Sequence, residues 1–145
     1  MIWNIVYDEE RLLLWKKLRE EIKELKIEEQ LAAVAKFCAT IPFGSRTLDY
    51  YSPQDWPTPW EILFHGSFCT SSISLLMYYT LVMASEDIDI ELYIVEDDRG
   101  IYLLPVIANQ YVLNYELGAV NNYPEIEPDI KVLQKYTKEQ IKKIK

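Results

Sequence analysis

The chain has 145 residues, half of them apolar, and a formal net charge of −8. This length suits one domain with a proper core, and the apolar and aromatic content argues against intrinsic disorder. No apolar run approaches the ~20 residues that a membrane span needs, and the start lacks the basic region and cleavage site of a signal peptide. We therefore expect a cytoplasmic protein that does not enter a membrane.

The charge is unevenly distributed along the chain. Residues 131–145 carry six lysines and one glutamate, a net charge of +5, which leaves −13 on the rest. The acidic body disfavours direct nucleic-acid binding, and the basic end is typical of a solvated helix. Two cysteines, Cys38 and Cys69, and one histidine, His65, suggest neither a disulfide framework nor a metal site. We expect no cofactor.

The first part of the chain has the pattern of two helices. Apolar residues at the helical period predict helices over residues 8–25 and 28–39. Pro42 ends the second, because a proline disfavours helix at the residue before it. Residues 44–57 are predicted to form a loop, which is long and aromatic for a connector and therefore suggests a functional or covering role.

Two further helices are predicted around residue 66. Residues 58–61, Thr-Pro-Trp-Glu, are typical of a helix start, with an N-cap threonine, a first-turn proline and a capping-box glutamate. Gly66 suits the end of this short helix. A long helix should then run from Cys69 or Thr70 to Ala84. It is apolar on nearly all sides, which predicts the central buried helix.

The pattern changes to the two-residue period of strands after residue 87. Strands, joined by short turns, are predicted over residues 88–94, 101–107 and 111–115. Pro105 implies an edge, a bulge or a break in the second strand. Residues 119–130 should be loop, followed by a last strand over 130–136 and a terminal helix from Thr137. The expected fold class is α+β, with N-terminal helices and a central cysteine-initiated helix packed on a small antiparallel β-meander.

Cys69 is the residue whose position first suggests chemistry. N–H groups at a helix N-terminus favour an anion and lower the pKa of a thiol, which is the usual seating of a cysteine nucleophile. Cysteines also open helices without any such role, so this feature alone does not identify an active site.

The order of elements and four local motifs resemble the transglutaminase-like branch of the papain-like cysteine hydrolases. The matching segments are 35–43 (a helix ending in Ile-Pro-Phe), 58–63 (Thr-Pro-x-Glu-x-Leu), 66–69 (Gly-Ser-Phe-Cys) and 111–118 (Tyr-x-x-Asn-x-x-x-Gly). The resemblance covers about residues 30–118. It implies a single domain over 1–145, with a helical extension (1–29), a core (30–118) and a C-terminal strand and helix with the basic tail (119–145).

The resemblance implies a catalytic cysteine, a histidine on a following strand and an aspartate or asparagine on the next strand. Cys69 matches the first position and Asn114 the third. The histidine is expected near residues 101–104, where the chain has none, and Tyr102 is expected to fill the cleft instead. Ser67 and Phe68 also replace the family's Gly-Asp before the cysteine. We therefore expect Cys69 to be a vestigial nucleophile, with His65 as the only candidate base.

The candidate cleft or binding residues are mostly aromatic, a class that concentrates in binding hot spots: Tyr50, Tyr51, Trp56, Trp60, Phe68 and Tyr102. They form either an exposed binding surface or a lid over the core. The expected function is a catalytically inactive transglutaminase-like domain that binds a protein partner through a groove between Cys69, Trp56 and the meander. Its size and acidity suit an accessory or regulatory protein, which we expect to be phage-encoded and to act in the host cytoplasm.

Two alternatives remain open. The first is a cysteine hydrolase or acyltransferase with Cys69 as nucleophile and His65 as a non-standard base. The second is an inhibitor whose acidic surface mimics nucleic acid. The sequence leans against an enzyme without deciding it, and it leaves the oligomeric state undetermined.

Overall fold

A five-stranded antiparallel sheet with helices packed on it makes up the computed structural model. It describes residues 8–41, 49–65 and 69–144, without the side chains of Asp8, His65 and residues 142–144. The helices are α1 (Asp8–Ile22), α2 (Ile27–Cys38), α3 (Pro59–His65), α4 (Thr70–Ala84), α5 (Tyr123–Ile126) and α6 (Lys138–Ile144). The strands are β1 (Ile90–Asp97), β2 (Gly100–Ile107), β3 (Tyr111–Leu113), β4 (Val120–Asn122) and β5 (Lys131–Tyr136). The predicted α+β class is confirmed.

The sheet is larger than the predicted three-stranded meander. Its strand order is β4-β3-β2-β1-β5, so β1 and β2 are central and the last strand in sequence pairs with the first. The predicted loop over 119–130 is wrong, because it contains β4, α5 and a 3₁₀ turn at Glu127–Asp129. With three residues, β4 is too short to show a periodic pattern, and its pairing with β3 supplies the missing stability.

Each face of the sheet is covered by a separate apolar cluster. Ile94 and Leu103 point into the larger cluster beneath α1–α4. Tyr93 and Leu104 point the other way, where Tyr123 and its neighbours in α5 cover them. Alternating side chains of β1 and β2 are therefore buried on both faces, which is why these strands are almost continuously apolar.

The helix α4 is the central buried helix, as its composition predicts. Twelve of its fifteen residues are buried. Ser71 and Ser74 of this helix face one edge of β2. In the described part of the chain, residues 100–105 pair with β1 on their other edge and have no strand partner on this one. Leu103 N–H donates to Ser71 Oγ (3.2 Å), and Ser74 Oγ–H donates to the Leu103 carbonyl (2.6 Å). Pro105 lies on this same edge of β2, and an edge is one of the three positions predicted for it from the sequence. The pairing of β1 with β2 continues past Pro105 without a shift in register.

The helix α1 ends three residues earlier than predicted. The buried Gln30 side chain explains the stop, because its Nε2 donates to the carbonyls of Ile22 (2.7 Å) and Leu25 (3.3 Å). Arg11, at the other end of α1, donates to the carbonyls of Leu63 and Phe64, both at 2.7 Å. These two bonds tie α1 to the end of α3, whose last residue, His65, lies four residues before Cys69.

A hydrogen bond inside the core joins α1 to α4. Trp15 is fully buried, and its Nε1–H donates to Thr80 Oγ1 (2.8 Å), while the Thr80 hydroxyl donates to the Leu76 carbonyl (2.7 Å). A buried N–H that loses its acceptor costs more than an ordinary hydrogen bond is worth.

Over the ranges the structure describes, no helix has both the length and the apolar character of a membrane span.

Thr80→Val should destabilise the protein by about 1–3 kcal/mol, since it leaves the Trp15 N–H buried and unpaired. Urea unfolding measures the loss. Thr70→Val is the matched control on the exposed start of the same helix and should change stability by less than about 0.5 kcal/mol. In a double-mutant cycle, Trp15→Phe with Thr80→Val should cost less than the sum of the single changes. An additive cycle would show that the two side chains are not coupled.

Candidate functional site

Cys69 lies at the N-cap of α4, with extended backbone angles (φ −70°, ψ 165°). Its side chain is half-buried, and the Sγ lies 3.4 Å from the hydroxyl of Ser72. The helix before it begins with the predicted capping box, since Thr58 N–H donates to Glu61 Oε1 (3.0 Å) and Glu61 N–H donates to Thr58 Oγ1 (3.2 Å). The predicted Gly66 stop and Phe68 lie outside the described residues.

Cys69 opens into a groove of about 380 Å³ between the first turn of α4 and the β1–β2 hairpin. The groove is lined by Tyr50, Cys69, Thr70, Ser71, Arg99, Ile101, Tyr102, Asn114, Tyr115 and Leu117. We call it the Cys69 groove. Among the predicted site residues, it brings together Cys69, Asn114, Tyr102 and Tyr50.

Tyr102 stands on β2, inside the segment where the family resemblance places a histidine. Its hydroxyl donates a short hydrogen bond to Asp97 Oδ2 and accepts one from Arg99 (2.5 Å). Burial and the bond to Asp97 raise the pKa of Tyr102 well above its usual value. The phenol therefore stays protonated at neutral pH and cannot accept a proton from a thiol.

The guanidinium of Arg99 contacts the rings of both Tyr102 and Tyr115. The guanidinium carbon lies 5.0 Å from the Tyr102 ring centre and 4.5 Å from that of Tyr115, and Nη1 donates to the Tyr115 carbonyl (3.1 Å). Arg99 also pairs with Asp97 at 3.1 Å. Burial opposes ionisation of Asp97, but the hydrogen bonds from Tyr102 and Arg99 outweigh it and lower the pKa of the carboxyl. All three nitrogens of the guanidinium are engaged within the protein.

Asn114 closes the floor of the groove. It has a positive φ of 65°, which ends β3 at Leu113, and its side chain is nearly fully buried. The Nδ2 group donates to the Thr70 carbonyl (2.9 Å) and to Ser74 Oγ (2.8 Å). The side-chain amide of Asn114 therefore hydrogen-bonds α4 and joins that helix to the end of β3.

Tyr50 covers one side of the groove. Its hydroxyl donates to the Ile101 carbonyl of β2 (2.9 Å) and lies 3.1 Å from Ser71 Oγ. The predicted loop of residues 44–57 lies partly outside the described residues, and its described part contains a 3₁₀ turn at Pro53–Asp55. The part of the loop that is described therefore contributes one wall of the Cys69 groove.

The aromatic residues expected to line one cleft with Cys69 are divided between two separate grooves. Trp56 and Trp60 do not line the Cys69 groove but a separate cavity of about 470 Å³, which Tyr79 and Met83 of α4 also line. Trp56 is buried there, and its Nε1–H donates to the Asp49 carbonyl (2.9 Å). The expected groove between Cys69 and Trp56 is therefore corrected. Trp60 is half-exposed, edge-on to Trp15.

The three remaining predicted site residues are Tyr51, His65 and Phe68. Tyr51 is exposed and lines neither groove. The side chain of His65 lies outside the described residues, as does Phe68, so their places in the site stay predictions.

Arg99 and Tyr115 are groove residues that sequence reasoning missed. Arg99 lies in the short turn that the sequence predicts between the first two strands, a position that by itself does not suggest a site residue. The register of the β1–β2 hairpin explains why Arg99 belongs to the site. Tyr102 pairs with Val95, so Asp97, two residues further along β1, lies diagonally opposite Tyr102 on the same face of the sheet. A charged residue in the turn between such a pair is well placed to bind both.

A metal centre has no support in the described part of the chain. No three His, Cys, Asp or Glu residues there stand close enough together to hold an ion.

Comparisons with known proteins identify the fold. No protein-family model matches the chain, and no curated protein matches it significantly. Solved structures of Legionella pneumophila LapG do match. The calcium-bound form is 16% identical with a TM-score of 0.75, covering 90% of this chain and 76% of LapG. The EGTA-treated form is also 16% identical at 0.75, covering 90% and 74%. A third LapG structure is 14% identical at 0.74, covering 95% and 88%. The likeness shows a transglutaminase-like fold, as the motif order predicted.

Asn114→Ala should lower the free energy of unfolding by about 2–3 kcal/mol, because it removes two hydrogen bonds from a buried site. Asn114→Gly relieves the positive φ but also removes the amide, so it should still cost about 1–2 kcal/mol. Asn114→Asp keeps the shape but sets a carboxylate against the Thr70 carbonyl, and should be at least as damaging as alanine at neutral pH. Thermal or urea unfolding compares the three. Wild-type stability in the glycine variant would show that only the backbone conformation matters.

Proposed function

We propose that this chain is a catalytically inactive transglutaminase-like domain that binds a protein partner through the Cys69 groove. One observation carries the proposal. Where the family resemblance requires a histidine, β2 presents Tyr102, whose hydroxyl already donates to Asp97 and accepts from Arg99.

The rest of the groove supports the same conclusion. Activation of a cysteine needs a base within hydrogen-bond reach of the sulfur. The side chains that line the groove in the described residues are cysteine, threonine, serine, arginine, tyrosine, asparagine, isoleucine and leucine, and none of them is a base at neutral pH. Asn114, at the third catalytic position, donates to α4 and so has a structural role.

The groove has the character of a protein-binding site. Ile101 and Leu117 on its rim remain 44% and 53% exposed, and Tyr50, Tyr102 and Tyr115 present aromatic surface between them. Tyrosines of this kind dominate binding hot spots, because they bury a large area at a small entropic cost. Because the guanidinium of Arg99 is already engaged, the recognised segment is an extended peptide with apolar side chains rather than an acidic one. A small accessory protein that acts on a host protein in the cytoplasm suits this arrangement.

A cysteine hydrolase with His65 as base is the second candidate. It is favoured by one observation, the half-buried Cys69 thiol at the start of a fifteen-residue helix and open to a groove. Alkylation kinetics distinguish the two candidates, because only an activated cysteine reacts rapidly below pH 7.

Iodoacetamide should alkylate native protein slowly at pH 6, because no side chain in the described lining of the Cys69 groove can act as a base for the thiol. Mass spectrometry should place the label on Cys69 alone. Cys38 is fully buried, and burial raises the pKa of its thiol far above the usual value. Cys69→Ser should abolish labelling. Fast alkylation below pH 7 that is lost in His65→Ala would overturn the pseudoenzyme and support the hydrolase.

The binding half of the proposal has its own test. Immobilised protein should retain a partner from a lysate of the cells that encode it, and Leu117→Glu should abolish that retention by placing a charge on the apolar rim. Leu25→Glu, an exposed leucine just beyond the end of α1, is the matched control and should retain the partner. Equal retention by both variants would contradict binding through the Cys69 groove.

A further inference from the structure

A second groove follows the exposed face of α4, between α3 on one side and α6 on the other. Two adjoining cavities of about 470 Å³ and 510 Å³ form it, and both are lined by Tyr79 and Met83. Trp60 contributes the α3 wall and Ile141 the α6 wall. We call it the α4 groove. It is separate from the Cys69 groove, with which it shares no lining residue.

The α4 groove presents apolar side chains to solvent. Trp60 is 51% exposed and Met83 36%, and Phe64, one turn after Trp60 on α3, is 60% exposed. Val82 and Met83 follow Tyr79 by three and four residues on α4, so these three side chains lie on one face of that helix, and Glu86 follows just after its end. A trough between helices with large apolar side chains on its floor has the shape that receives an amphipathic helix.

The rim of the α4 groove is acidic. Glu61, Glu86, Asp87 and Glu139 stand on it, against the single described cation, Lys138, whose ammonium donates to the Glu86 carbonyl (2.8 Å). Burial raises the pKa of Tyr78 to about 12, and the charge of Glu139 adds to the effect. The charge of Glu139 therefore acts on a side chain that lines the groove.

The negative charge continues beyond the groove. An adjoining cavity shares Asp87 and Glu139 and adds Asp89 and Glu91. The helix α6 begins at Lys138, beside Glu86, so its described first turn lies at this acidic end.

We propose that the α4 groove docks a basic amphipathic helix of a partner protein. Apolar side chains at i, i+4 and i+7 of that helix would pack on Trp60, Tyr79 and Met83. Its lysines or arginines would face Glu86, Asp87 and Glu139, so charge complementarity selects the partner and sets its orientation. A second copy of this chain fits less well, because it would bring the same acidic rim against this one.

The probe is a fluorescein-labelled 18-residue helix of leucine and lysine, with leucines at i, i+4, i+7 and i+11, and the readout is fluorescence anisotropy with the full chain. The control peptide has the same composition in an order without an apolar face. The chain should bind the amphipathic peptide at least tenfold more tightly than the control. Raising the salt from 50 to 500 mM should weaken binding about tenfold, since screening removes the attraction between exposed charges.

Matched variants locate the site. Glu86→Lys with Asp87→Lys should weaken binding tenfold or more, whereas Glu20→Lys with Glu24→Lys, the same charge change on exposed positions of α1 and its end, should weaken it less than threefold. Met83→Glu tests the apolar floor separately and should also weaken binding at least tenfold. Leu117→Glu, in the Cys69 groove, should leave binding unchanged. Circular dichroism confirms that each variant is folded.

Three results would overturn the proposal. In the first, the wild-type chain binds both peptides equally well. In the second, both double variants weaken binding equally, which would show that net charge alone attracts the peptide. In the third, sedimentation detects a dimer of the chain that Met83→Glu dissociates, which would show that the occupant is a second copy.

Discussion

The contact between α4 and the open edge of β2 is the constraint on which the site depends. Both backbone groups of Leu103 are bound by α4, the N–H by Ser71 and the carbonyl by Ser74. A strand edge buried without such partners would leave polar groups unsatisfied, at a cost comparable to losing whole hydrogen bonds. The serines therefore act in place of a neighbouring strand. They fix α4 against β2, and with it the position of Cys69.

Other polar contacts strengthen the same contact between α4 and β2. Asn114 binds the first turn of α4 from the end of β3, and Tyr50 binds the next carbonyl along the β2 edge, that of Ile101. These groups would need to be placed in this way whether or not Cys69 reacts. The contacts that seat Cys69 therefore have a structural role that does not depend on catalysis. A structural role of this kind is what the pseudoenzyme proposal requires, and the alkylation kinetics test that proposal.

Local patterns allowed much of the fold to be predicted from the sequence. The start of α3 follows from Thr58 and Glu61, and the burial of α4 from its apolar residues on every side, because both signals lie within one turn or one helix. The order of the strands did not follow, because the pairing of β5 with β1 joins residues some forty positions apart. The separation of Trp56 from Cys69 is of the same kind: their closeness in sequence suggested one groove, but packing around Tyr136 holds Trp56 elsewhere.

The strand order has a consequence for the chain as it is being made. The first strand, β1, is complete at Asp97, but its partner on one side, β5, begins only at Lys131. Until residues 131–136 have been synthesised, one edge of this apolar strand has no partner, and such an edge is a template for pairing with other chains. The strand that closes this edge is thus made well after β1 itself, and a chain that stops before residue 131 would be left with that edge open.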